Sequence, residues 1–433
     1  MKNILNYNSV ENLPAMKARA VFQVNSASVF KEDIDILPVS ISDNLKYMPW
    51  GGDNNMPYDI LQLIEDDETL STCQIFNAEV CYGSGLVYDC NDADNVTREQ
   101  VQEFLMDNDL ASYFLGACQD LKHFGFAVSV VILSNDATKI ARIVRKEACY
   151  CRFAPADKYG RIPQVLYANW RKCVTDEKQV EAIELLDMAA PWHDLKVRLD
   201  SRTKCRKFAV LSRVPTPDST YYPIPHYASL FRGKWYNIKQ LIGIAKESKL
   251  KNSAPIKYQI EISQKYWESI FRSEGITDRR KQQKRIVEEK QAILDFLTGA
   301  ENCGKAWFST FYVTPDGKEQ HDVVIHKIED SKEGGDWSTD IQEAVNMICF
   351  TMRVHSNLVG SVPGKAQTNN SGSDKRELYT IAHALQKPYH DLLFNVHRII
   401  IRFNGWRGVR PDSPFIQLTT LDKHADAKKV TTL

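Results

Sequence analysis

A chain of 433 residues, 43% hydrophobic and 25% charged, has globular composition and exceeds the usual size of one simple core, so two or three lobes are expected and a disordered or fibrous chain is excluded. Fifty-five Lys and Arg balance 55 Asp and Glu, so the whole molecule lacks the basic footprint of a tight nucleic-acid binder. Charge is nevertheless uneven: between Gly51 and Leu110 the single base is Arg98, whereas Arg232 to Lys257 carries seven bases and the single acid Glu247. That contrast reads either as two solvated faces or as a polarity between two ends of the molecule.

Met1 to Leu45 shows little periodicity and reads as an arm or a loosely packed strand pair. The turn cluster KYMPWGGDNNMPYDI, Lys46 to Ile60, feeds a helix with Pro57 near its first position and Tyr58, Leu61 and Ile64 on one side. A second helix runs from Thr69 to a stop at Gly83, a third starts at the capping-box pair Thr97 and Gln100, and a fourth covers Leu110 to Lys122 and stops at Gly125. The pattern then changes to strands: Phe126 to Leu133, Ile140 to Arg145, Ala148 to Phe153, Val165 to Asn169 and Lys207 to Arg213. The first half is therefore predicted to be an α+β lobe.

Four prolines between Pro215 and Pro225 mark a boundary. Leu230, Phe231, Trp235, Ile238, Leu241, Ile242 and Ala245 follow as a helical stripe that ends at Asn252 and Pro255. In IKYQIEI, Ile256, Tyr258, Ile260 and Ile262 alternate with polar residues, the pattern of a half-buried strand. After a charged helical region, Gln264 to Thr298, come strand-like runs Ala306 to Val313 and Asp322 to Ile328, joined by the turn Pro315-Asp316-Gly317. The IKYQIEI strand must pair with that distant hairpin or with another chain, because an unpaired edge attracts a partner.

Thr339 and Gln342 have capping-box spacing, and Ile341, Ala344, Val345, Ile348, Cys349 and Met352 form one apolar stripe behind them. The following GSVPGKAQTNNSGSD, Gly360 to Asp374, is small and polar and is predicted to be a long exposed loop. Asp374 and Glu377 restart a helix, Leu378, Ile381, Ala382 and Leu385 give its stripe, Pro388 interrupts it, and Leu392 to Phe403 continue it to a stop at Asn404-Gly405.

Ten cysteines include no C-x-x-C, and the lone C-x-C of Cys149 and Cys151 supports neither a zinc ribbon nor a thioredoxin-type site; reduced, mostly core thiols are expected. No signal peptide precedes Val21 and no long apolar run occurs, so no membrane segment is expected. Gly299, Gly304 and Lys305 spell G-x-x-x-x-G-K, but a helix precedes, a strand follows, and Ala306 replaces the magnesium-binding hydroxyl; a helix stop at Gly299 explains it better. His383, His390 and His397 are spaced by seven, with Pro388 breaking the register, and read as solvated or interface histidines rather than metal ligands. Gly83-Ser84-Gly85 lacks the third glycine of a dinucleotide loop. No catalytic motif is present, so no enzyme, cofactor or metal is expected.

Two blocks carry a resemblance to a family: KYMPWGGDNNMPY with FNAEVCYGSGL, and RVHSNLVGSVPGKAQTNNSGSDKRE with QKPYHDLLFNVHRIIIRFNGW. In their order and spacing they resemble the portal proteins of tailed bacteriophages, similar to those of phages and prophages of Bacteroidetes. The resemblance implies an α+β portal fold: wing 1–226, first stem helix 227–251, clip 252–337, second stem helix 338–356, tunnel loop 357–373, kinked wing helix 374–406 and a short tail 407–433 in place of a full crown. It implies a ring of twelve subunits at one capsid vertex of the virion, assembled in the host bacterial cytoplasm. That ring would pass double-stranded DNA in packaging and ejection, and meet the terminase large subunit, the major capsid protein and a head-tail adaptor, without a membrane.

By position, the resemblance puts Lys365, Gln367, Thr368, Asn369, Asn370 and Ser371 on the DNA channel. It puts Ile256, Tyr258, Ile260 and Ile262 in the clip at a subunit interface, and Trp235, Ile238, Ile242, Ile341, Val345 and Ile348 in the stem. A channel loop of small polar residues suits a sliding duplex, since each phosphate neutralised by Lys or Arg adds salt-dependent grip; Lys365 is the exception. Two alternatives stand beside this reading: a nucleotide-dependent DNA-processing enzyme using Gly304 and Lys305, and a non-ring phage structural or adaptor protein.

Overall fold

The computed structural model describes residues 37–172, 174–200, 205–217, 219–252, 258–298, 311–313, 319–327, 337–359 and 372–416. Expectations for 1–36, Ile256, the Gly299 to Ala306 motif, the Pro315-Asp316-Gly317 turn and the tail beyond residue 416 lie outside these. So do those for Lys365, Gln367, Thr368, Asn369, Asn370 and Ser371. The described chain is α+β and divides into two compact units, one of Met1–Leu241 with Ser338–Leu433, the other Ile242–Trp337.

The first unit opens with β1 (Val39–Ser40), β2 (Lys46–Tyr47), α1 (Met56–Glu65), α2 (Glu68–Tyr82), β3 (Val87–Asp89), α3 (Asn95–Asp107) and α4 (Leu110–Phe124). Next come β4 (Phe126–Leu133), β5 (Ile140–Lys146), β6 (Cys151–Phe153), β7 (Gln164–Tyr167), β8 (Glu181–Leu185), α5 (Pro191–Asp200), β9 (Lys207–Arg213) and α6 (Ala228–Arg232). Helix α7 (Trp235–Asn252) runs from the first unit into the second, which holds β10 (Tyr258–Ile262), α8 (Gln264–Ser273), α9 (Arg279–Thr298), β11 (Phe311–Val313), β12 (Glu319–His321) and β13 (Val323–Lys327). Helices α10 (Trp337–Thr351), α11 (Ser356–Val359), α12 (Gly372–Ala384) and α13 (Lys387–Phe403) and strand β14 (Arg410–Asp412) complete the chain.

A six-stranded sheet, in the order β5-β4-β9-β8-β7-β6, organises the first unit; only the β8–β9 pair is parallel. The run FAVSVVIL of β4 is apolar on both faces because both are covered. Alternation sends Phe126, Val128 and Val130 to one core, with α1, α2, α6 and α10, and Ala127, Val131 and Leu133 to the other, with α3, α4 and α13. Ser129, the one polar residue of the strand, is buried and bonds the Tyr113 hydroxyl at 2.6 Å. Gly125, at φ 77°, adopts the left-handed conformation that ends α4 and turns the chain into β4.

Several boundaries differ from the sequence reading. Asp94, not Thr97, caps α3, its carboxylate accepting the Thr97 N–H at 2.7 Å, because an aspartate at the residue before the helix competes better for a free N–H. Helix α10 starts at Trp337, two residues before Thr339. Ala148 opens a single turn of 3₁₀ helix before β6, and β8 and α5 carry no clear signal: EAIEL is short and carries two glutamates. At Pro388 the long helix breaks into α12 and α13, the proline taking the first turn of α13, where no N–H is needed.

Candidate functional site

Helices α7 and α10 are the elements on which the sequence-predicted stem residues fall, and α2 holds both. Asp67 precedes α2 and accepts the N–H groups of Thr69 at 3.0 Å and Leu70 at 2.9 Å. The same carboxylate, fully buried, takes the Lys239 ammonium of α7 at 2.8 Å from each oxygen and the Gln240 amide at 3.1 Å. The lysine also reaches the Thr69 hydroxyl at 3.0 Å and Glu68 at 3.2 Å. One residue thus caps one helix and anchors another.

This anchor makes Tyr236 and Lys239 the most buried residues of the described first turns of α7. Tyr236 and Lys239 are buried, whereas Trp235, Ile238 and Ile242 of the predicted stripe are half-buried and Leu241 is 53% exposed. Sequence reasoning missed Lys239 because a lysine is rarely buried unless paired, and its partner lies 172 positions away. Gly233 also splits the predicted stripe: Leu230 and Phe231 belong to α6 and are buried, with Phe231 stacking edge-on against Tyr236 at 5.0 Å.

Helix α10 packs as its periodicity requires, with Val345 and Ile348 buried in the core that contains Trp50, Phe126 and Phe153, and Ile341 half-buried at its margin. Its C-terminal turn is tied to α2: the Asn77 amide donates to the Met352 carbonyl at 2.9 Å, and the Cys73 and Cys349 sulfurs lie 3.9 Å apart. Phe350 points the other way and is 77% exposed. Arg353 then takes φ 57°, a left-handed conformation that turns the chain out of α10 towards α11.

Beneath that turn lie Lys122, His226 and Tyr389. The buried Lys122 ammonium sits 3.2 Å above the Tyr389 ring, and burial lowers its pKa to about 8. Burial, with Arg353 and Lys122 close by, holds His226 down at about 4. The histidines spaced by seven do different things: His390 Nε2 meets the Cys81 carbonyl at 2.6 Å, and His397 Nδ1 meets the Tyr88 hydroxyl at 2.9 Å. Among the described residues no group of three His, Cys, Asp or Glu side chains is placed to hold a metal ion, and no helix is long and apolar enough to cross a membrane.

The turn cluster of Lys46 to Ile60 is fixed by one buried cation, Arg152. Arg152 of β6 donates to the Asn54 side chain at 2.5 Å, the Asn54 carbonyl at 2.9 Å, and the carbonyls of Cys149 and Cys151 at 3.0 and 2.8 Å. Trp50 and Trp170 flank its guanidinium at 5.5 and 5.4 Å. Asn54 in turn accepts the Trp50 N–H at 3.0 Å and sits at φ 63°.

In the second unit β10 finds its partner within the chain: Ile260 lies opposite Ile325 and Ile262 opposite Val323 in an antiparallel pair with β13. The expected hairpin splits, β11 pairing with β12 while β13 turns to β10. Among the described residues each of these sheets has two strands, so each strand keeps an outer edge. Helices α8 and α9 are joined by Arg285, which bridges Glu274 at 3.0 Å and Glu289 at 2.8 Å, and by the Tyr266 hydroxyl on Glu289 at 2.9 Å.

No family model and no curated protein matches the chain. Solved structures do match in fold. A chain of the neck of a native gene transfer agent particle, computed with C12 symmetry, matches at TM-score 0.55 and 12% identity, over 85% of this chain and 87% of that one. A chain of the neck of an empty gene transfer agent particle, computed with C6 symmetry, matches at 0.56 and 11%, over 84% and 86%. A chain of the native gene transfer agent virion gives 0.55 and 12%, over 85% and 87%. Over that span this chain shares its fold with the matched chains of gene transfer agent particles.

Proposed function

We propose that the protein is a portal subunit: a non-enzymatic virion component that closes into a ring of twelve at one capsid vertex and conducts double-stranded DNA during packaging and ejection. The observation that carries this reading is the fold shared with neck chains over 85% of the sequence, in particles computed with twelvefold symmetry. In the subunit, the wing comprises 1–226 and the kinked helix 374–406, the stem 227–251 and 338–356, and the clip 252–337. Residues 357–373 form the tunnel loop, in which Lys365, Gln367, Thr368, Asn369, Asn370 and Ser371 face the duplex. The terminase large subunit, the head-tail adaptor and the major capsid protein are its partners.

Two features support a ring. Leu241 of α7 and Phe350 of α10 remain exposed on the proposed stem helices, where a neighbouring subunit would cover them. Among the described residues β10 and β13 pair with each other along one edge, and a two-stranded sheet of this kind suits extension into the next subunit. Native mass measurement and electron microscopy of the purified protein test the reading: a closed ring is expected, and a stable monomer across a range of salt concentrations would overturn it. Lys365→Ala is expected to assemble normally and to alter packaging alone.

A further inference from the structure

We infer that Cys73 and Cys349 form an oxidisable pair whose disulfide would staple α10 to α2. The sulfurs are 3.9 Å apart, already in contact, on residues separated by 276 positions, and neither is bonded to another cysteine. Closing to the roughly 2.05 Å of a disulfide requires about 1.9 Å of sulfur movement, within reach of side-chain rotation on two helices already in contact. The Asn77 to Met352 bond, one turn further along both helices, holds that contact independently.

The two thiols are chemically unequal. The hydrogen bond they share, together with burial, raises the Cys73 pKa, while the same bond and the Lys239 ammonium nearby lower that of Cys349. Cys349 is also 5% exposed, whereas Cys73 is fully enclosed. A small peroxide therefore meets the better nucleophile first. The Cys349 thiolate attacks one peroxide oxygen and breaks the O–O bond, giving a sulfenic acid and hydroxide, which takes up the thiol proton as water. Cys73 sulfur then attacks Cys349 sulfur; the S–O bond breaks, and the departing hydroxide leaves as water with the Cys73 proton. Two thiols lose two electrons in all and one peroxide gains them.

A disulfide here would close residues 73–349 into one loop and fix the C-terminal end of α10 against α2. Cytosolic thiols stay reduced, so the link would form once the protein leaves the cytosol; its use in a released particle rests on the portal reading, but its formation does not.

The test treats the purified full-length protein with hydrogen peroxide at a few equivalents and maps the peptides without reduction. A single intramolecular Cys73–Cys349 peptide pair, a mass loss of about 2 Da, and an unfolding temperature raised by a few degrees and restored by a phosphine reductant are expected. Cys73→Ala and Cys349→Ser should both lose the cross-link and the shift, and agreement of the two separates it from a packing effect of either. Absence of the pair overturns the inference. So does a link between any other two cysteines in its place, or a Cys349 that proceeds to sulfinic acid. The readout is the same for a ring or a monomer, so it fails independently of the portal reading.

Discussion

Lys239 and Asp67 meet at 2.8 Å in a pair whose side chains are 9% and 0% exposed, and the carboxylate also holds the first N–H groups of α2. The two ends of this pair are not equivalent. Removing Asp67 takes away a cap and strands a buried ammonium with only the exposed Glu68 and a hydroxyl; removing Lys239 leaves the carboxylate with Thr69, Leu70 and Gln240 as donors. Asp67→Ala is expected to lower the unfolding free energy by about 3–5 kcal/mol. Lys239→Met should cost less than half as much, its aliphatic stem being kept. Urea unfolding of both variants decides it, and equal losses would show that the cap contributes little.

This pair also marks what the sequence does not reveal. The strands Phe126 to Leu133 and Lys207 to Arg213 are readable to the residue because short apolar runs between turn clusters admit little else, and the stripe Val345, Ile348 is readable because a helix repeats every 3.6 positions. The burial of Lys239 on α7 is not, since its partner lies 172 positions away. For the same reason Cys73 with Cys349 and Arg152 with Asn54, 276 and 98 positions apart, are invisible to local pattern. The split of the expected hairpin into β11–β12 and β13–β10 likewise depends on which edge is nearest in space.

Arg152 is buried, and its charge is spread over three backbone carbonyls and one amide oxygen between two indole rings. Only a planar fork can reach all four acceptors, so lysine cannot replace it. Arg152→Lys is expected to destabilise the protein by about 2–4 kcal/mol and to shift the emission of Trp50 and Trp170 to longer wavelength. An unchanged spectrum with unchanged stability would show that the Asn54 turn holds by itself.

Two histidines set an acid limit. Burial depresses His226 to about 4 and His397 to about 3, both below the value of about 6.5 for an unfolded chain. Above pH 6.5 both states are neutral there and neither residue contributes. Below it the unfolded chain binds protons that the folded chain refuses, so stability falls as pH drops towards 4, by about 1.4 kcal/mol per pH unit for each histidine. His397→Gln should remove one such increment from the slope between pH 6 and pH 4.5, whatever its effect at neutral pH. Identical slopes for variant and parent would rule out a buried neutral His397.

The exposed and buried positions of α10 separate folding from assembly. Ile348 is fully enclosed in the subunit core, so Ile348→Asp places an unpaired charge there and is expected to abolish soluble folded protein. Phe350, two residues on, projects outward, and Leu241 on α7 is half exposed, so Phe350→Asp and Leu241→Asp should leave the circular dichroism and unfolding temperature of the subunit close to those of the parent. If a neighbouring subunit covers these side chains, both substitutions prevent ring closure, because a carboxylate cannot be buried against an apolar surface without a partner. Native mass measurement of the folded variants gives the answer. Rings of the parent size from both would mean that the outward faces of α7 and α10 stay open to solvent, and that the ring closes through the strand edges of the second unit instead.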